Sequence, residues 1–435
     1  MRFSTSKLIL SAVALCAGTS ALAQSGSSQI VIAVPQFPTP RNVKTDGGET
    51  GVIGIQIAQQ IVADLRTSRS IYPTGPDNLR HYTPTEAGAP LYPNWANVGA
   101  GALVTGYVQA RDDGRITVAC YLYDLKQRRE MTRKGFVVDP TEWRRAAHRC
   151  AGAFFTAVTK RPGHFDSRIL YVAETGTRTS PVKRLAIMNW DGTDHRYLTQ
   201  GEVTVTSPRL SPDGRRIAYM SFAGGLPQVR IMGVDGGNDR PLLQSPAMSF
   251  SPRFSPDGRR IAFSMAVDGN TDLYVTGADG GFPQRLTTAP GVDTSPSFSP
   301  DGSKIVFESD RSGTQQLYVM NADGSGQRRI SFGGRANSTP AWSPDGERIA
   351  FTRWSGAGLA IGVMNPDGSN EKMLTDGWQD EAPSWAPDSE WIAFQRTHQG
   401  TGRASLYTIT VEGGEAKPIA TPQPGADPNW TGVSL

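Results

Sequence analysis

The sequence predicts a two-domain protein in which an N-terminal α/β sandwich precedes a six-bladed β-propeller. A strand–turn–strand phrase recurs at steps of 43 to 45 residues through the second half, and its cleanest copies run over 207–219 and 251–263. A period near 44 residues with several strands per unit is typical of propeller blades. The first half instead alternates apolar strands with amphipathic helices. Roughly 410 exported residues exceed one core, so two domains are expected.

Residues 1–23 are predicted to be a secretory signal peptide that is cleaved near Ala23. Two basic residues precede an apolar run over 8–17, and the sequence Ala21-Leu22-Ala23 offers the small residues that a cleavage site requires. The run is too short to span a membrane, and no later stretch approaches the length of a transmembrane helix. Cys16 leaves a lipoprotein signal as an alternative, although the bulky residue before it disfavours that signal. The protein is therefore expected to be exported without membrane insertion.

Composition limits the classes of partner and site. The loss of two basic residues with the signal peptide lowers the formal net charge from +4 to +2, which gives no electrostatic reason to expect nucleic acid. Two cysteines remain after processing, Cys120 and Cys150. An exported protein can join them in a disulfide, and two buried free thiols explain them equally well. No Cys-x-x-Cys pair or His/Cys spacing predicts a metal site, and no motif predicts a cofactor.

The first domain is assigned to residues 24–160. Residues 29–35 form a near-continuous apolar strand, of the kind that is buried on both faces of a sheet. A helix follows, because apolar residues recur at every fourth position on one face. These residues are Ile53, Ile57, Ile61 and Leu65. Two strands over 102–108 and 116–122 are joined by the Asp-Asp-Gly sequence at 112–114, a strong hairpin signal.

A third strand near 131–138 and a second helix complete the predicted sandwich. Asp139-Pro140-Thr141-Glu142 opens this helix, with proline at a favoured early position. Its buried face is expected to carry Trp143, Ala147, Cys150, Phe154 and Val158. His148 stands among arginines on the same helix, which predicts a solvated basic face in preference to an anion site. No catalytic constellation gathers in this domain.

Residues 163–431 are assigned to the propeller. Each repeat holds a short Ser-Pro strand, an Asp-Gly turn, an Ile-Ala-Phe strand, a Leu-Tyr-Val-Met strand and a short outer strand. The first repeat begins at Arg168-Ile-Leu-Tyr-Val172 and has no Ser-Pro strand before it, whereas an extra one occurs at Asp427-Pro-Asn-Trp430. We expect the extra strand to become the innermost strand of the first blade. The ring then closes by joining the two ends of the repeat region.

The two faces of the predicted ring differ in how strictly the repeats agree. The Asp-Gly turns are regular, and we expect their acids to bond backbone N–H groups as structural turns, the alternative being cation sites. The connections before the innermost strands diverge, and topology places them around one mouth of the central channel. The residues predicted to form this apolar and acidic rim are Met248, Phe250, Asp293, Thr294, Asn337, Asp380 and Glu381. Such a rim favours a protein or peptide partner.

The sequence predicts a binding protein and not an enzyme. Propellers that cap serine peptidases carry an α/β-hydrolase domain with a Gly-x-Ser-x-Gly elbow, and neither this motif nor His-Glu-x-x-His occurs here. The alternative is a propeller polysaccharide lyase or a sugar-binding protein. Such a protein would act in the channel through Asp293 or Glu381 with a metal.

The chain resembles the TolB family, exported propeller proteins of the Tol-Pal system, along nearly its whole mature length. The features that carry this resemblance are Ile61-Val-Ala-Asp-Leu-Arg66, Leu103-Val-Thr-Gly-Tyr-Val108, Ser167-Arg-Ile-Leu-Tyr-Val172 and the Ser-Pro-x-Trp/Phe-Ser-Pro-Asp-Gly repeats of the WD40-like (PD40) type. The resemblance implies a periplasmic, non-enzymatic adaptor. Such an adaptor binds the lipoprotein Pal at the channel mouth and contacts the inner-membrane-anchored protein TolA. It serves outer-membrane integrity and constriction during cell division.

The resemblance also implies where the partners bind. The family's Pal contacts fall in the loops before the innermost strands. They correspond here to Met248, Ser251 and Thr294, and we add the rim residues Phe250, Asp293, Asn337 and Glu381. The family's TolA contact lies in a flexible arm before the first strand. Only Gln24 to Ser28 precede Gln29 here, so a shortened arm is expected, and a TolA contact on the α/β domain is the alternative. Other envelope proteins are further expected partners, and the protein is expected to be a monomer.

Overall fold

The computed structural model describes residues 29–177, 179–354 and 356–432. The predicted signal peptide, its cleavage site at Ala23 and the arm over 24–28 lie outside these residues. Within the described ranges, the chain forms an α/β domain around one five-stranded sheet, followed by a ring of six four-stranded sheets. The predicted fold class, with its six blades, is confirmed.

The sheet of the α/β domain combines parallel and antiparallel pairing. Its spatial strand order is Ile71–Thr74, Ile30–Ala33, Ala102–Ala110, Ile116–Asp124 and Arg129–Val138. The first three strands run parallel, and the last two complete an antiparallel hairpin and meander. The edge strand Ile71–Thr74 has only four residues and contains a proline, so no strand pattern in the sequence predicts it.

Two long helices cover one face of this sheet. Helix α1 spans Thr50–Arg66 and helix α3 spans Trp143–Thr159. The four apolar residues predicted to face inward on α1 are all fully buried, and each such side chain contributes roughly 1.5–3 kcal/mol to stability. The Sγ atoms of Cys120 and Cys150 are 2.17 Å apart in a disulfide, which ties a central strand to α3.

Shorter elements cover the other face of the sheet. Helix α2 (Pro84–Ala87) and the 3-10 turn Tyr92–Trp95 bring Ala87 and Trp95 onto Leu103 of the sheet. The remaining elements of the domain are a two-residue hairpin and a 3-10 turn before α3. They span Lys44–Thr45, Gly48–Glu49 and Pro140–Glu142.

Each propeller blade is a meander of four antiparallel strands, and the blades are numbered here in the order of their second strands. Blade 1 comprises Gly425–Thr431, Arg168–Thr177, Ser180–Asn189 and Arg196–Tyr197. Blade 2 comprises Val205–Leu210, Arg216–Ser221, Gln228–Gly233 and Arg240–Pro241. Blade 3 comprises Ser249–Phe254, Arg260–Val267, Asn270–Gly277 and Gln284–Arg285.

The other three blades repeat this plan, with the innermost strand given first. Blade 4 comprises Asp293–Phe298, Lys304–Ser309, Gln316–Asn321 and Arg328–Arg329. Blade 5 comprises Asn337–Trp342, Ile349–Trp354, Leu359–Met364 and Lys372–Met373. Blade 6 comprises Asp380–Trp385, Trp391–Thr397, Ala404–Thr410 and Lys417–Pro418.

The ring closes through the extra Ser-Pro-type strand, as predicted. Gly425–Thr431 pairs antiparallel with Arg168–Thr177, and Trp430 lies opposite Ile169. The last strand of the repeat region thereby becomes the innermost strand of blade 1. Fully buried aromatic residues of the second strands fill the spaces between blades. They are Phe263, Phe307, Phe351 and Phe394.

Candidate functional site

The propeller has two faces, because successive turns of a meander lie at opposite ends of its strands. The turn face carries the Asp-Gly turns. The mouth face carries the connections that precede the innermost strands and the loops between second and third strands. Large apolar side chains are exposed on the mouth face: Phe222, Leu226, Met248, Val267, Val292, Phe332, Trp354 and Trp378. Exposed apolar surface of this kind is typical of contact sites for other macromolecules.

Every innermost strand carries a bulge near the mouth, where one residue has a left-handed backbone. These residues have φ between 46° and 55° and each precedes a proline: Ser207, Ser251, Ser295, Thr339, Ala382 and Asp427. The pairing register with the second strand shifts at the same point in every blade. For residues other than glycine this conformation costs roughly 1–2 kcal/mol, and such strain clusters at binding sites.

The structure places the predicted Pal-contact residues at different depths. Met248 is exposed, with 38% of its surface accessible. Three others are half-buried: Phe250, Ser251 and Glu381. Thr294 is only 9% exposed, and its Oγ1 accepts a hydrogen bond from Ser264 Oγ at 3.0 Å. Of these residues, Met248 is therefore the one that presents most surface to a partner.

Asp293 and Asn337 are completely buried, which corrects the expectation that they present side chains on the rim. Arg311 Nη2 lies 2.6 Å from Asp293 Oδ2. Arg353 Nε donates to Asn337 Oδ1 at 2.9 Å. In both blades an arginine covers the polar residue that begins the innermost strand, so this residue positions the arginine instead of meeting solvent.

Blade 6 repeats this arrangement with a third arginine. Arg396 donates through Nε and Nη2 to the two carboxylate oxygens of Asp380, at 2.7 and 2.8 Å, and Asp380 is completely buried. The hydrogen bond to Asp380 raises the pKa of Arg396. The guanidinium also lies over the rings of Phe394 and Tyr407. Of the three acids expected on the rim, Asp293 and Asp380 are therefore buried beneath arginines, and Glu381 is half-buried.

Two glutamates near the rim differ in depth: Glu308 is buried, and Glu381 is half-buried. Burial raises the pKa of Glu308 to about 7, even though Thr339 N–H donates to its Oε2 at 2.6 Å. Burial also raises the pKa of Glu381. In both cases burial disfavours the charged form of the carboxyl group.

On the turn face, four Asp-Gly turns have the structural role that the sequence predicts. In each of blades 2 to 5 a serine Oγ donates to the turn aspartate Oδ1 at 2.5 Å. The pairs are Ser211–Asp213, Ser255–Asp257, Ser299–Asp301 and Ser343–Asp345. The hydrogen bond from Ser299 is the main reason that the pKa of Asp301 falls to about 2. These carboxylates therefore accept hydrogen bonds within their own turns.

Blade 6 departs from the repeat at this turn, and the departure is used for domain contact. Ala386 stands where the other blades have serine, so Asp388 lacks that partner. Asp388 is buried, and its Oδ2 lies 2.5 Å from Nδ1 of His164, in the segment between the two domains. The other ring nitrogen of His164 lies 3.3 Å from Thr67 Oγ1 of the α/β domain. The turn face is therefore where the α/β domain docks.

His148 also belongs to this interface, which corrects the predicted solvated face. It is only 2% exposed; its Nδ1 lies 2.8 Å from Asp64 Oδ2, and its Nε2 lies 3.4 Å from Asp191 Oδ2 in a turn of blade 1. Burial alone would lower the pKa of His148, but the interaction with the carboxylates of Asp191 and Asp64 outweighs it and raises that pKa to about 9. The interaction also helps to lower the pKa of Asp191 to about 2, against the effect of burial.

Sequence reasoning missed the domain interface, although one signal was available. The turn of blade 6 reads Ala386-Pro-Asp-Ser389 where the other repeats read Ser-Pro-Asp-Gly. Ser389 keeps the left-handed φ of 60° that glycine adopts elsewhere, and its Oγ accepts from Asp345 N–H at 3.1 Å. A break in a strict repeat can therefore indicate a specialised contact as well as structural freedom.

Two further observations concern metals and membranes. Over the ranges that the structure describes, no three His, Cys, Asp or Glu side chains gather as metal ligands. In the same ranges, no helix has the length and apolar character needed to cross a bilayer.

These features define a class of protein: a six-bladed β-propeller with an α/β domain docked on its turn face. A family profile described as "TolB beta propeller domain" matches residues 155–434, and one described as "TolB amino-terminal domain" matches residues 21–131. The chain belongs to the TolB family.

Named relatives agree with this assignment. The chain is 50% identical over 203 residues to the Tol-Pal system protein TolB of Zymomonas mobilis, covering 47% of this chain and 44% of that protein. It is 50% identical over 191 residues to the protein of the same name from Rhizorhabdus wittichii, covering 44% of each. These matches thus span less than half of the relatives' length. The crystal structure of TolB from Acinetobacter baumannii matches with a TM-score of 0.75 at 25% identity, covering 93% of this chain and 96% of that one.

Proposed function

We propose that the protein is a periplasmic, non-enzymatic adaptor of the Tol-Pal system. Its relatives carry the name of that system. The observation that carries the proposal is the mouth face, where exposed apolar side chains surround bulged strands and where Asp293 and Asp380 are buried and paired with arginines. Covering such a surface with a protein partner removes apolar area from water, which favours association. The adaptor serves outer-membrane integrity and constriction during cell division.

The lipoprotein Pal is the partner that we assign to the channel mouth. Met248 supplies exposed apolar contact area. Thr294 Oγ1 donates to Ser251 Oγ at 3.5 Å, so Thr294 acts mainly by holding this half-buried serine. Asp293 and Asn337 contribute through the arginines that they position. The half-buried residues Phe250 and Glu381 complete the contact set.

A matched pair of substitutions tests this assignment. Met248→Arg places a charge on the mouth face, whereas Phe282→Arg makes a similar change at a fully exposed residue in a turn of the opposite face. With the soluble domain of Pal as the titrant, Met248→Arg is expected to weaken binding by about tenfold or more, equivalent to about 1.4 kcal/mol. Phe282→Arg is expected to bind like the wild type. Equal effects of the two variants would refute a contact at the mouth.

The link to TolA is assigned to the arm before the first strand. Gln29, where the described chain begins, borders a cavity of about 1050 Å³ between the two domains. Gln29 therefore lies beside the domain interface, on the side of the propeller away from the mouth. Deletion of residues 24–28 is expected to abolish capture by TolA and to leave Pal binding unchanged. If the deletion variant still binds TolA, the contact lies on the folded domains.

The lyase alternative has less support from the site. Asp293, one of the two acids that it would use, is completely buried beneath Arg311. The other acid, Glu381, has a pKa that is raised by burial, and its hydrogen-bond partner is Gln395. Asp293 therefore does not present a free carboxylate to a sugar or to a metal in the channel.

A further inference from the structure

A cavity of about 440 Å³ lies in the channel toward the turn face. Its wall includes the ends of innermost strands at Ser211, Pro212, Pro344 and Gly432. The wall also includes the residue between the proline and the apolar core residue of every innermost strand. These six residues are Arg209, Arg253, Ser297, Ala341, Ser384 and Asn429. Neither partner binding at the mouth nor docking of the α/β domain gives this cavity a role.

Three of the six residues connect neighbouring blades. Ser297 Oγ accepts from Trp342 N–H at 3.1 Å. The other two bonds are Trp430 N–H to Ser384 Oγ at 2.9 Å and Leu210 N–H to Asn429 Oδ1 at 2.8 Å. An arginine has no acceptor atom in its side chain and cannot replace these residues in that role. The two arginines at this level therefore need a different explanation.

The guanidinium groups of Arg209 and Arg253 form few hydrogen bonds within the protein. Arg209 Nη1 donates to the carbonyl oxygen of Pro208 at 2.6 Å, and its Nε is buried without a hydrogen-bond partner among the described residues. Burial lowers the pKa of Arg209 to about 10. Asp427, which partly offsets this effect, already accepts a hydrogen bond from Ser207 N–H. In the described part of the chain, neither Arg209 nor Arg253 forms an ion pair.

The surface beside these two residues is also basic. Blades 2 and 3 are the blades that carry them, and their Asp-Gly turns continue into Arg-Arg pairs: Arg215, Arg216, Arg259 and Arg260. Arg215 and Arg259 are exposed on the turn face. Arg216 pairs with Asp279, and the turn aspartates Asp213 and Asp257 offset two further charges, so this face keeps a small positive excess that favours anions.

We propose that this cavity binds a small oxyanion, a carboxylate or a phosphate group, at Arg209 and Arg253. Two like charges on adjacent strands repel each other, and one anion on both of them removes this repulsion. Its oxygens also accept charge-assisted hydrogen bonds in the paired geometry that guanidinium groups favour. The anion is either free in solution or part of an acidic side chain of a protein that approaches the turn face.

Calorimetric titration of the mature protein with inorganic phosphate, at constant ionic strength set by chloride, tests this proposal. Binding is expected to saturate at one site per molecule. Arg209→Gln and Arg253→Gln are each expected to weaken it by about tenfold or more, the loss of one charge-assisted hydrogen bond. Arg215→Gln, which removes an exposed charge on the same face, is expected to change the affinity by less than about twofold. Circular dichroism establishes that each variant is folded.

The two sources of the anion are separated by a second titration with a short peptide of glutamate residues. Tighter binding of phosphate assigns the site to a free anion, and tighter binding of the peptide assigns it to an acidic segment of a partner. Both results support the site. The absence of saturable binding for both probes overturns the proposal, and so does an Arg215→Gln variant that is as impaired as Arg209→Gln. Pal binding is measured in parallel and is expected to be unchanged, since the mouth lies at the other end of the channel.

Discussion

Trp430 Nε1 donates a hydrogen bond to Ser167 Oγ at 2.7 Å, and the two residues are 263 positions apart in the sequence. Both are buried. Trp430 belongs to the strand that closes the ring, and Ser167 directly precedes the strand that it pairs with. The bond therefore fixes the closing strand to the start of the propeller.

Trp430→Phe is expected to loosen this closure. It removes one buried hydrogen bond, which costs about 1–2 kcal/mol in the free energy of unfolding. Hydrogen exchange of the amides in Gly425–Thr431 is expected to accelerate. Trp385→Phe is the matched control, because Trp385 Nε1 donates to Ala341 O at 2.9 Å between blades 5 and 6. If both variants leave exchange in the closing strand unaltered, the Trp430 bond has no special role in closure.

His148 predicts a loss of stability at alkaline pH. Its pKa is about 9 in the folded protein, above the usual histidine value. Its stabilising contribution is therefore complete below about pH 6.5 and is lost as the pH rises through about 9, by up to roughly 3 kcal/mol. Urea unfolding across this range is expected to show the decline in the wild type and not in His148→Gln. His81→Gln changes an exposed histidine and should keep the decline; a decline that persists in His148→Gln would contradict the assignment.

Asp388→Asn is expected to weaken domain docking. The substitution removes the charge that faces His164 Nδ1 at 2.5 Å, and removing one member of a buried polar pair costs roughly 1–3 kcal/mol. Tryptic cleavage after Lys160, between the domains, should become faster. The equivalent turn residue of blade 5 provides the control, because Asp345 is exposed. Cleavage that accelerates equally in Asp345→Asn would indicate a general effect on the turns.

Glu308→Gln is expected to stabilise the protein above neutral pH. The folded-state pKa of Glu308 is raised to about 7 by burial, so its favourable contribution is complete below about pH 4.5 and is lost as the pH rises through about 7. Glutamine stays neutral and can still accept the Thr339 hydrogen bond. Urea unfolding at pH 8 should therefore show a gain of up to about 3 kcal/mol. The exposed Glu347→Gln should show no gain, and a destabilised Glu308→Gln would contradict this account.

The repeat itself could be predicted from sequence, because its strands and turns use local chemistry. Asp213 and its equivalents bond within their own turns, and the Pro428 strand completes the count of innermost strands. The depth of the rim residues could not be predicted. Asp293 is buried only because Arg311, 18 positions later, folds back over it. A residue that differs between repeats can lie on an unconstrained surface or can form a buried ion pair found in one blade. The sequence does not distinguish these two cases.

The domain interface was beyond prediction for a related reason. His148 sits in a basic helical segment, and its partner Asp191 belongs to an Asp-Gly turn like those at the same place in blades 2 to 5. Only the tertiary arrangement brings them together. Ala386 was the one local anomaly, and its meaning depends on the position of His164.

Asp191 lies in blade 1 and Asp388 lies in blade 6, and these are the two blades that meet where the ring closes. The α/β domain therefore spans the seam of the ring. A propeller whose first blade is assembled from distant parts of the chain can close only after synthesis has delivered the closing strand. The α/β domain is synthesised first, but it can complete its contacts with blades 1 and 6 only after the ring has closed. Docking of the α/β domain thus stabilises the closed ring. Ring closure and domain docking should therefore occur as one late, cooperative step in folding.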